Sequence, residues 1–443
     1  MQAGKIRKKV GYLLVATILG ISLNAGLQGI ISIPDHERFS VGDRLEISRM
    51  LPQYLVRSVQ VVVDGQHFLR EDGIQSASNM RNYGEAAPVL ASTGHFKVNY
   101  MLFGLIPLRK VDVDVVPEIK LLPGGQSIGV MLQSHGVIVV GQAVVVDQLG
   151  NKTYPAREAG IRLGDLILSI DGKEVKSDND VAQAVHQAGM KGQQVQITVK
   201  RGSLLQNIAV KPVFCQETKR YRIGLYVRDS AAGVGTLTFF DPESGKYGAL
   251  GHVINDIDTN QKIEIDQGQV IGAAVQSIQP GRRGQPGEKI GSFLQDSTFR
   301  GTIDKNTPFG IFGSIQGKLT NSVYNQPMPI ATESTLKEGP AKILTVISGE
   351  KVEAFDITIE RVLPQRSDSK NMVIRITDPR LLSVTGGIVQ GMSGSPIIQN
   401  DRIVGAVTHV FVNDPTRGYG VFIEQMLKQA DIPRNKASKD DAA

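Results

Sequence analysis

From Tyr221 to about Ala430 the chain is built of short apolar runs rich in valine and isoleucine, cut at close intervals by glycine-rich turns. No other feature constrains its fold as strongly. Runs of four to eight such residues bounded by turns read as strands, and many in succession give a sandwich or a barrel. The whole chain agrees: glycine is abundant at 48 residues, aromatic residues make up only 5% and tryptophan is absent, so the expected class is mainly β.

Within this region Gly391-Met392-Ser393-Gly394-Ser395-Pro396 precedes the strand pattern Ile403-Val404-Gly405-Ala406-Val407-Thr408-His409. Glycine on both sides of a serine lets the backbone bend sharply and aims amide N–H groups at a developing oxyanion. An ordinary Gly/Ser hairpin has the same composition, so the turn alone leaves both readings open. A serine hydroxyl is a weak nucleophile at neutral pH and needs an imidazole to take its proton. Of the histidines, His36, His67 and His95 stand in the N-terminal third, and His135 and His186 in a separate central module. His409 lies on the strand just after the serine, where it packs or faces solvent. His252 remains, in Tyr247-Gly248-Ala249-Leu250-Gly251-His252-Val253-Ile254, preceded by the glycine-rich run Gly233–Phe240. A lone histidine is more often structural, but its order, its flanks and the downstream serine reverse that weighting. The third group should be a carboxylate that fixes the imidazole tautomer. Asp378, in Val373-Ile374-Arg375-Ile376-Thr377-Asp378-Pro379, is chosen over Asp256 and Asp258, which read as the loop after His252. The ordinary reading of Asp378 is a turn-forming residue before proline.

These segments resemble the nucleophile turn and the base-carrying strand of chymotrypsin-like serine peptidases. The resemblance is partial, because Asp378 lies far closer to Ser393 than to His252, whereas the digestive enzymes carry their aspartate about midway. More narrowly, the chain is similar to the stage IV sporulation protein B peptidases of endospore-forming bacteria. That similarity rests on Gly251-His252, on Thr377-Asp378-Pro379, on Gly391–Pro396, and on the order of anchor, central module and peptidase domain over nearly all 443 residues. It implies a catalytic triad of His252, Asp378 and Ser393. The amides of Gly391 and Ser393 are expected to form the oxyanion hole, and the strand through Val407-Thr408-His409 to pair with extended substrate. The resemblance further implies a role in sporulation signalling: cleavage of the chain itself and of a membrane-bound regulator of an intramembrane protease that processes a sigma factor. The site of action would be the space between the two membranes around the developing spore.

The N-terminus reads Lys5, Arg7, Lys8 and Lys9, then an apolar run from Val10 to Leu23 that resumes through Ile30, Ile31 and Ile33. This is a secretory signal or an uncleaved anchor, with the anchor preferred, and it places the remainder outside the cytoplasm. Those four basic residues supply most of the formal charge of +6, so the exported part is nearly balanced and nucleic-acid binding is not indicated. The single Cys215 excludes an internal disulfide framework and reads as a buried thiol. Residues 36–117 carry the runs Val56–Val63 and His95–Phe103 and suggest a small β-rich module without assignable chemistry.

Residues 120–212 resemble a PDZ domain of the bacterial peptidase-associated kind, through Pro155-Ala156-Arg157-Glu158-Ala159-Gly160-Ile161 and Leu163–Gly172. Leu122–Val130 stands where such domains keep their carboxylate-binding loop, so Ser127, Ile128, Gly129 and Val130 are candidate peptide-binding residues. A helix over Asp178–Ala188, capped by Ser177 or Asp178, brings Val181 and Val185 to one face. They would line the peptide groove or simply fill the core. The expected architecture is thus a membrane anchor at 1–34, the β-rich module, the PDZ domain, a chymotrypsin-like double β-barrel peptidase domain at 221–432, and a polar tail at 433–443. No H-E-x-x-H or C-x-x-C occurs, and Gly313–Leu319 lacks the glycine spacing and the Ser or Thr of a phosphate loop, so no metal or other cofactor is expected. The expected partners are protein substrates, peptide ligands of the PDZ domain, and the membrane. A PDZ-based scaffold with an inactive peptidase-like domain is the alternative.

Overall fold

In the computed structural model, which describes residues 35–45, 59–64, 69–70 and 89–432, the alternating runs pair as strands in two units. The expected anchor and the expected tail lie outside the described residues. Among the described residues, no helix is long and apolar enough to cross a membrane.

The first unit contains β1 (His36–Ser40), β2 (Val59–Asp64), β3 (Gly94–Leu102) and β4 (Ile106–Val116), in the sheet order β1-β4-β3-β2. Phe96, Val98 and Tyr100 of β3 and Val111, Val113 and Val115 of β4 are buried, as period-two alternation demands of a sheet with one covered face. His36 and His95 both meet Asp114, at 3.2 and 2.6 Å, in exposed surface pairs. His67 lies outside the described residues.

The second unit spans 121–328 and 337–432. Its first strands are β5 (Ser127–Gln142), β6 (Leu166–Ile170), β7 (Val195–Arg201), β8 (Leu204–Val210), β9 (Leu225–Phe240), β10 (Lys246–Ala249), β11 (Ile265–Gln279), β12 (Glu288–Phe293), β13 (Phe299–Thr302) and β14 (Gly310–Gly317). Six of them close a barrel in the order β5-β11-β13-β14-β10-β9, with β9 returning to β5. Ile128, Val130, Leu132, Leu237, Tyr247 and Val270 fill its core. A second closed barrel is made by β15 (Gly339–Val346), β16 (Val352–Val362), β17 (Met372–Ile376), β18 (Pro396–Gln399), β19 (Arg402–Phe411) and β20 (Asp414–Phe422).

The PDZ portion packs β6, β7, β8 and the second half of β5 against helices α1 (Pro155–Glu158) and α2 (Asp178–Met190). Ser177 caps α2: its hydroxyl accepts the Asp180 N–H, and the Asp180 carboxylate accepts the Ser177 N–H at 2.9 Å. Reciprocal capping of this kind is worth about 1 kcal/mol. Val181 and Val185 are buried in the core of this portion with Val137, Ile167 and Val199, so they line no groove. The adjoining flank of α2 is covered by the chain itself. Tyr221 packs its ring on Gly189 and donates its N–H to His186 Nδ1 at 3.3 Å, and Ile223 enters the same core. Cys215 is buried, as its apolar neighbours suggest.

The segment assigned to the carboxylate-binding loop has a different place. Gly124 and Gly125 donate their N–H groups to Thr238 and Leu237 carbonyls at 2.9 and 2.8 Å, so they form no open cradle for an anion. Ser127, Ile128, Gly129 and Val130 belong to β5 and to the first barrel. Ile128 faces Gly235 of β9 on one side and Gly272 of β11 on the other, which leaves no free edge for a peptide. A Cβ on Gly129 would stand 2.5 Å from the Phe293 ring. Closing the barrel needs this stretch, and the boundary expected near residue 120 therefore gives way to two strands, β5 and β9, that each run through both the PDZ portion and the barrel.

Candidate active site

Two threonines of β9, both fully buried, hold the nucleophile turn. Thr236 donates its hydroxyl to Gly391 O at 2.7 Å and its N–H to Ser393 O at 3.1 Å, and Thr238 donates its hydroxyl to Gly394 O at 2.8 Å. From the second barrel, Val407 accepts the Gly394 N–H at 2.8 Å and donates its own N–H to Ser395 O at 3.0 Å. The turn is thus fixed by one strand from each barrel. Gly394 has φ +93°, and a Cβ there would lie 2.1 Å from Thr236 O, so glycine is required on conformational and steric grounds together. Among the described residues, the N–H groups of Gly391 and Ser393 are donated to no other group. Such amides are free to donate to a group that enters the cavity.

His252 follows β10 through Leu250 and Gly251, which both take positive φ, at +69° and +71°. This sharp turn carries the ring out of the barrel wall. Its Nδ1–H donates to Val253 O at 2.8 Å, which leaves the Nε2 lone pair free to accept a proton. Burial lowers the His252 pKa, with the Val253 bond opposing, which favours the neutral imidazole. His252 and Ser393 line one cavity of about 590 Å³ together with Gln390, Gly391, Leu250 and residues 230–234 of β9. The Ser393 hydroxyl donates to Thr408 O at 2.8 Å and must turn about its Cα–Cβ bond to present its hydrogen to His252.

Asp378 does not join this pair. It caps helix α3 (Pro379–Thr385), accepting the Arg380 N–H at 2.9 Å, the Arg380 guanidinium at 2.8 and 3.2 Å, and the Asp356 N–H at 3.2 Å. The Arg380 side chain holds its carboxyl down at about 2. No hydrogen bond or ion pair joins it to His252 among the described residues. The ordinary reading of an aspartate before proline describes it: Pro379 opens the helix and Asp378 satisfies the first free amide. Asp256 and Asp258 are engaged by Arg228 at 2.8 and 2.7 Å. In this arrangement the Val253 carbonyl, not a carboxylate, fixes the His252 tautomer.

Two further residues stand at the site, His409, which the sequence reading set aside, and Lys289, which it missed. The His409 ring lies 5.4 Å from that of His252, and burial, then the neighbouring His252, push its pKa down to about 4. It packs, and its neighbour is His252. Lys289 is fully buried, its stem lies against Gly391, its N–H donates to Gln390 O at 2.9 Å, and its amine donates to Thr345 Oγ1 at 2.7 Å. Burial pulls its pKa down to about 7. A lysine in Glu288-Lys289-Ile290 reads as a solvated strand position, and nothing local marks it otherwise. The strand expected to receive substrate at Val407 is closed there, since the Val407 N–H and C=O both serve the nucleophile turn.

Residues 219–427 match the family described as SpoIVB peptidase S55, and residues 126–211 match the PDZ domain family. Residues 219–427 are thus a SpoIVB-family serine peptidase domain, and the chain carries it together with a PDZ domain. Several solved structures are similar to parts of it. The PDZ domain of the SdrC-like protein Lmo2051 from Listeria monocytogenes is 27% identical, with a TM-score of 0.17, over 21% of this chain and 87% of that one. The Rv3671c protease from M. tuberculosis in its active form is 15% identical, with a TM-score of 0.25, over 45% of this chain and 73% of that one. Human heparin binding protein is 9% identical, with a TM-score of 0.21, over 42% of this chain and 72% of that one. No curated protein matches. The SpoIVB-family match covers both barrels from β9 onward, and the PDZ match begins at Gln126, within the stretch that the first barrel uses. Among the described residues, no group of three or more His, Cys, Asp or Glu side chains could hold a metal ion.

Proposed function

We propose that the SpoIVB-family domain cuts internal peptide bonds with Ser393 as nucleophile and His252 as general base. One observation carries this reading: Ser393 and His252 share a cavity with two amides, on Gly391 and Ser393, that are donated to nothing else among the described residues. Ser393 Oγ bonds to the scissile carbonyl carbon while His252 Nε2 takes the hydroxyl proton. The carbonyl oxygen becomes an oxyanion held by the two amides, and the C–N bond breaks as His252 returns the proton to the leaving amine. Water, deprotonated by His252, then bonds to the acyl carbon, the bond from that carbon to Ser393 Oγ breaks, and His252 returns the proton to Ser393 Oγ. Peptide cleavage by a Ser393→Ala chain tests the assignment, because the variant keeps both turn glycines and loses only the nucleophile.

Within this reading the enzyme serves sporulation signalling, cutting itself and a membrane-bound regulator of an intramembrane protease that processes a sigma factor. The family match supports that role. The basic cluster at Lys5–Lys9 and the apolar run after it support attachment to a membrane with the catalytic domain outside the cytoplasm, between the two membranes of the developing spore. The PDZ portion would select peptide segments of the partner. The scaffold alternative would give the Ser393 hydroxyl and the two free amides no use.

A further inference from the structure

The hairpin that joins β3 to β4 goes against the usual chemistry of an exposed turn. Leu102 pairs with Ile106, the Leu105 N–H donates to Leu102 O at 3.1 Å, and Phe103 and Gly104 both take positive φ, at +54° and +73°. Hairpin residues at positive φ are ordinarily Gly, Asn or Asp, which adopt it with little strain and suit water. Here a bulky aromatic residue takes one of those places, and the whole run Met101-Leu102-Phe103-Gly104-Leu105-Ile106-Pro107-Leu108 has no polar side chain. Packing does not account for it: Phe103 is 65% exposed, Leu105 81% and Ile106 55%.

Two observations say what covers this tip. The first is where the chain enters the sheet. β1 runs parallel to β4 with His36 opposite Asp112, Asp35 O accepts the Asp112 N–H at 2.9 Å, and the Asp35 carboxylate meets Arg109 at 2.6 Å. β1 therefore begins on the side of Arg109, which is the side of the tip. Ile106 stands about 20 Å beyond Asp112 at the usual rise of a strand. The apolar run of the N-terminus resumes at Ile30, Ile31 and Ile33, within the same length of chain before His36. The second observation is the order of side chains along β4. The apolar tip is followed by Arg109 and Lys110, and only then by Asp112 and Asp114. A lipid surface is met in that order from inside outward: acyl chains, headgroup phosphates, water.

We infer that the β3–β4 tip seats in a lipid surface, with Phe103, Leu105 and Ile106 among the outer acyl chains and Arg109 and Lys110 level with the phosphates. The inference deepens the membrane attachment proposed above and rests on it. Basic side chains suit that depth, since their stems lie along apolar groups while their heads stay at the polar boundary. A leader alone tethers the first unit at one point. A second contact at the same end of the sheet fixes its tilt, so that β3 and β4 rise from the surface and His95 and Asp114, far from the tip, stay in water.

The chain has no tryptophan, so a single one placed at the tip reports its own surroundings. The intact chain carrying Leu105→Trp is reconstituted in vesicles of phosphatidylglycerol and phosphatidylcholine, with and without bromine on the acyl chains. His95→Trp, at the far end of β3 and about 23 Å from Leu102 at the usual rise, is the comparison. The expected result is a blue shift of the Leu105→Trp emission on reconstitution and a loss of that emission to brominated lipid, with His95→Trp unchanged by either. A chain that floats with the vesicles while the Leu105→Trp emission neither shifts nor falls overturns the inference and leaves membrane attachment standing. Equal loss at both positions also overturns it, and a blue shift that grows with protein concentration without lipid gives the tip to a second copy of the chain instead. A chain that does not float with the vesicles overturns the attachment, and the tip assignment with it.

Discussion

At the scale of single residues, the site depends on groups whose partners decide their role. Asp378 is bonded as a helix cap and paired with Arg380, so Asp378→Ala should destabilise the domain by about 1–2 kcal/mol in a denaturant titration. A fall in kcat beyond what that loss explains would instead restore it as the group that orients His252. Lys289 has the reverse problem: it is buried with one neutral partner, and its pKa is about 7 against an ordinary 10.5. Between those two pH values the unfolded chain holds a proton that the folded chain has released, so stability rises with pH through this window and is lowest near and below pH 7. Lys289→Met, which keeps the stem against Gly391, should raise stability at pH 7 by roughly 1–3 kcal/mol and abolish the rise. Unchanged denaturation midpoints at pH 7 and 9.5 would contradict the buried, neutral amine. That His252 and Ser393 come to one cavity was legible, because the turn needs glycine around the serine and because few histidines compete. Asp378 was misjudged because an aspartate before proline looks the same whether it orients an imidazole or caps a helix.

At the scale of elements, alternation along the sequence told which residues are buried but not which strands pair. The run Gly233–Phe240 was readable as a strand, and so was Ile128–Val130, yet nothing local shows that these two lie side by side. The loop assigned to carboxylate binding failed for that reason: Gly124 serves a close approach to Leu237 of β9, Gly125 one to Leu344 and Val352, and Gly129 one to Phe293, and none of them cradles an anion. Glycine spacing reports backbone demand, and the partner that makes the demand is visible only in the folded chain. The helix α2 shows the opposite case. Its cap and its buried valines follow from local pattern alone, and their place in the core is the simpler of the two readings the sequence offered.

At the scale of the molecule, the sequence separated a PDZ domain at 120–212 from a peptidase domain at 221–432, and the structure joins them through β5 and β9, each 16 residues long. The first barrel cannot close without Ser127–Leu132, and Ile128, Val130 and Leu132 bury roughly 1.5–3 kcal/mol each in its core. A fragment of residues 221–432 should therefore show no cooperative thermal transition, whereas 121–432 should melt cooperatively. A cooperatively folded, active 221–432 fragment would contradict the shared-strand architecture. The same continuity links PDZ and catalysis, since β9 begins at the PDZ core and ends at the threonines that hold the nucleophile turn. The claim on which all of this turns is that Ser393 is the nucleophile of a peptidase. The most direct measurement is kcat for peptide cleavage by the intact chain and by its Ser393→Ala variant, with matching melting curves to show that both are folded. The account predicts a loss of about 10⁴ to 10⁶ in the variant, and turnover by a folded Ser393→Ala chain at close to the unaltered rate would contradict it.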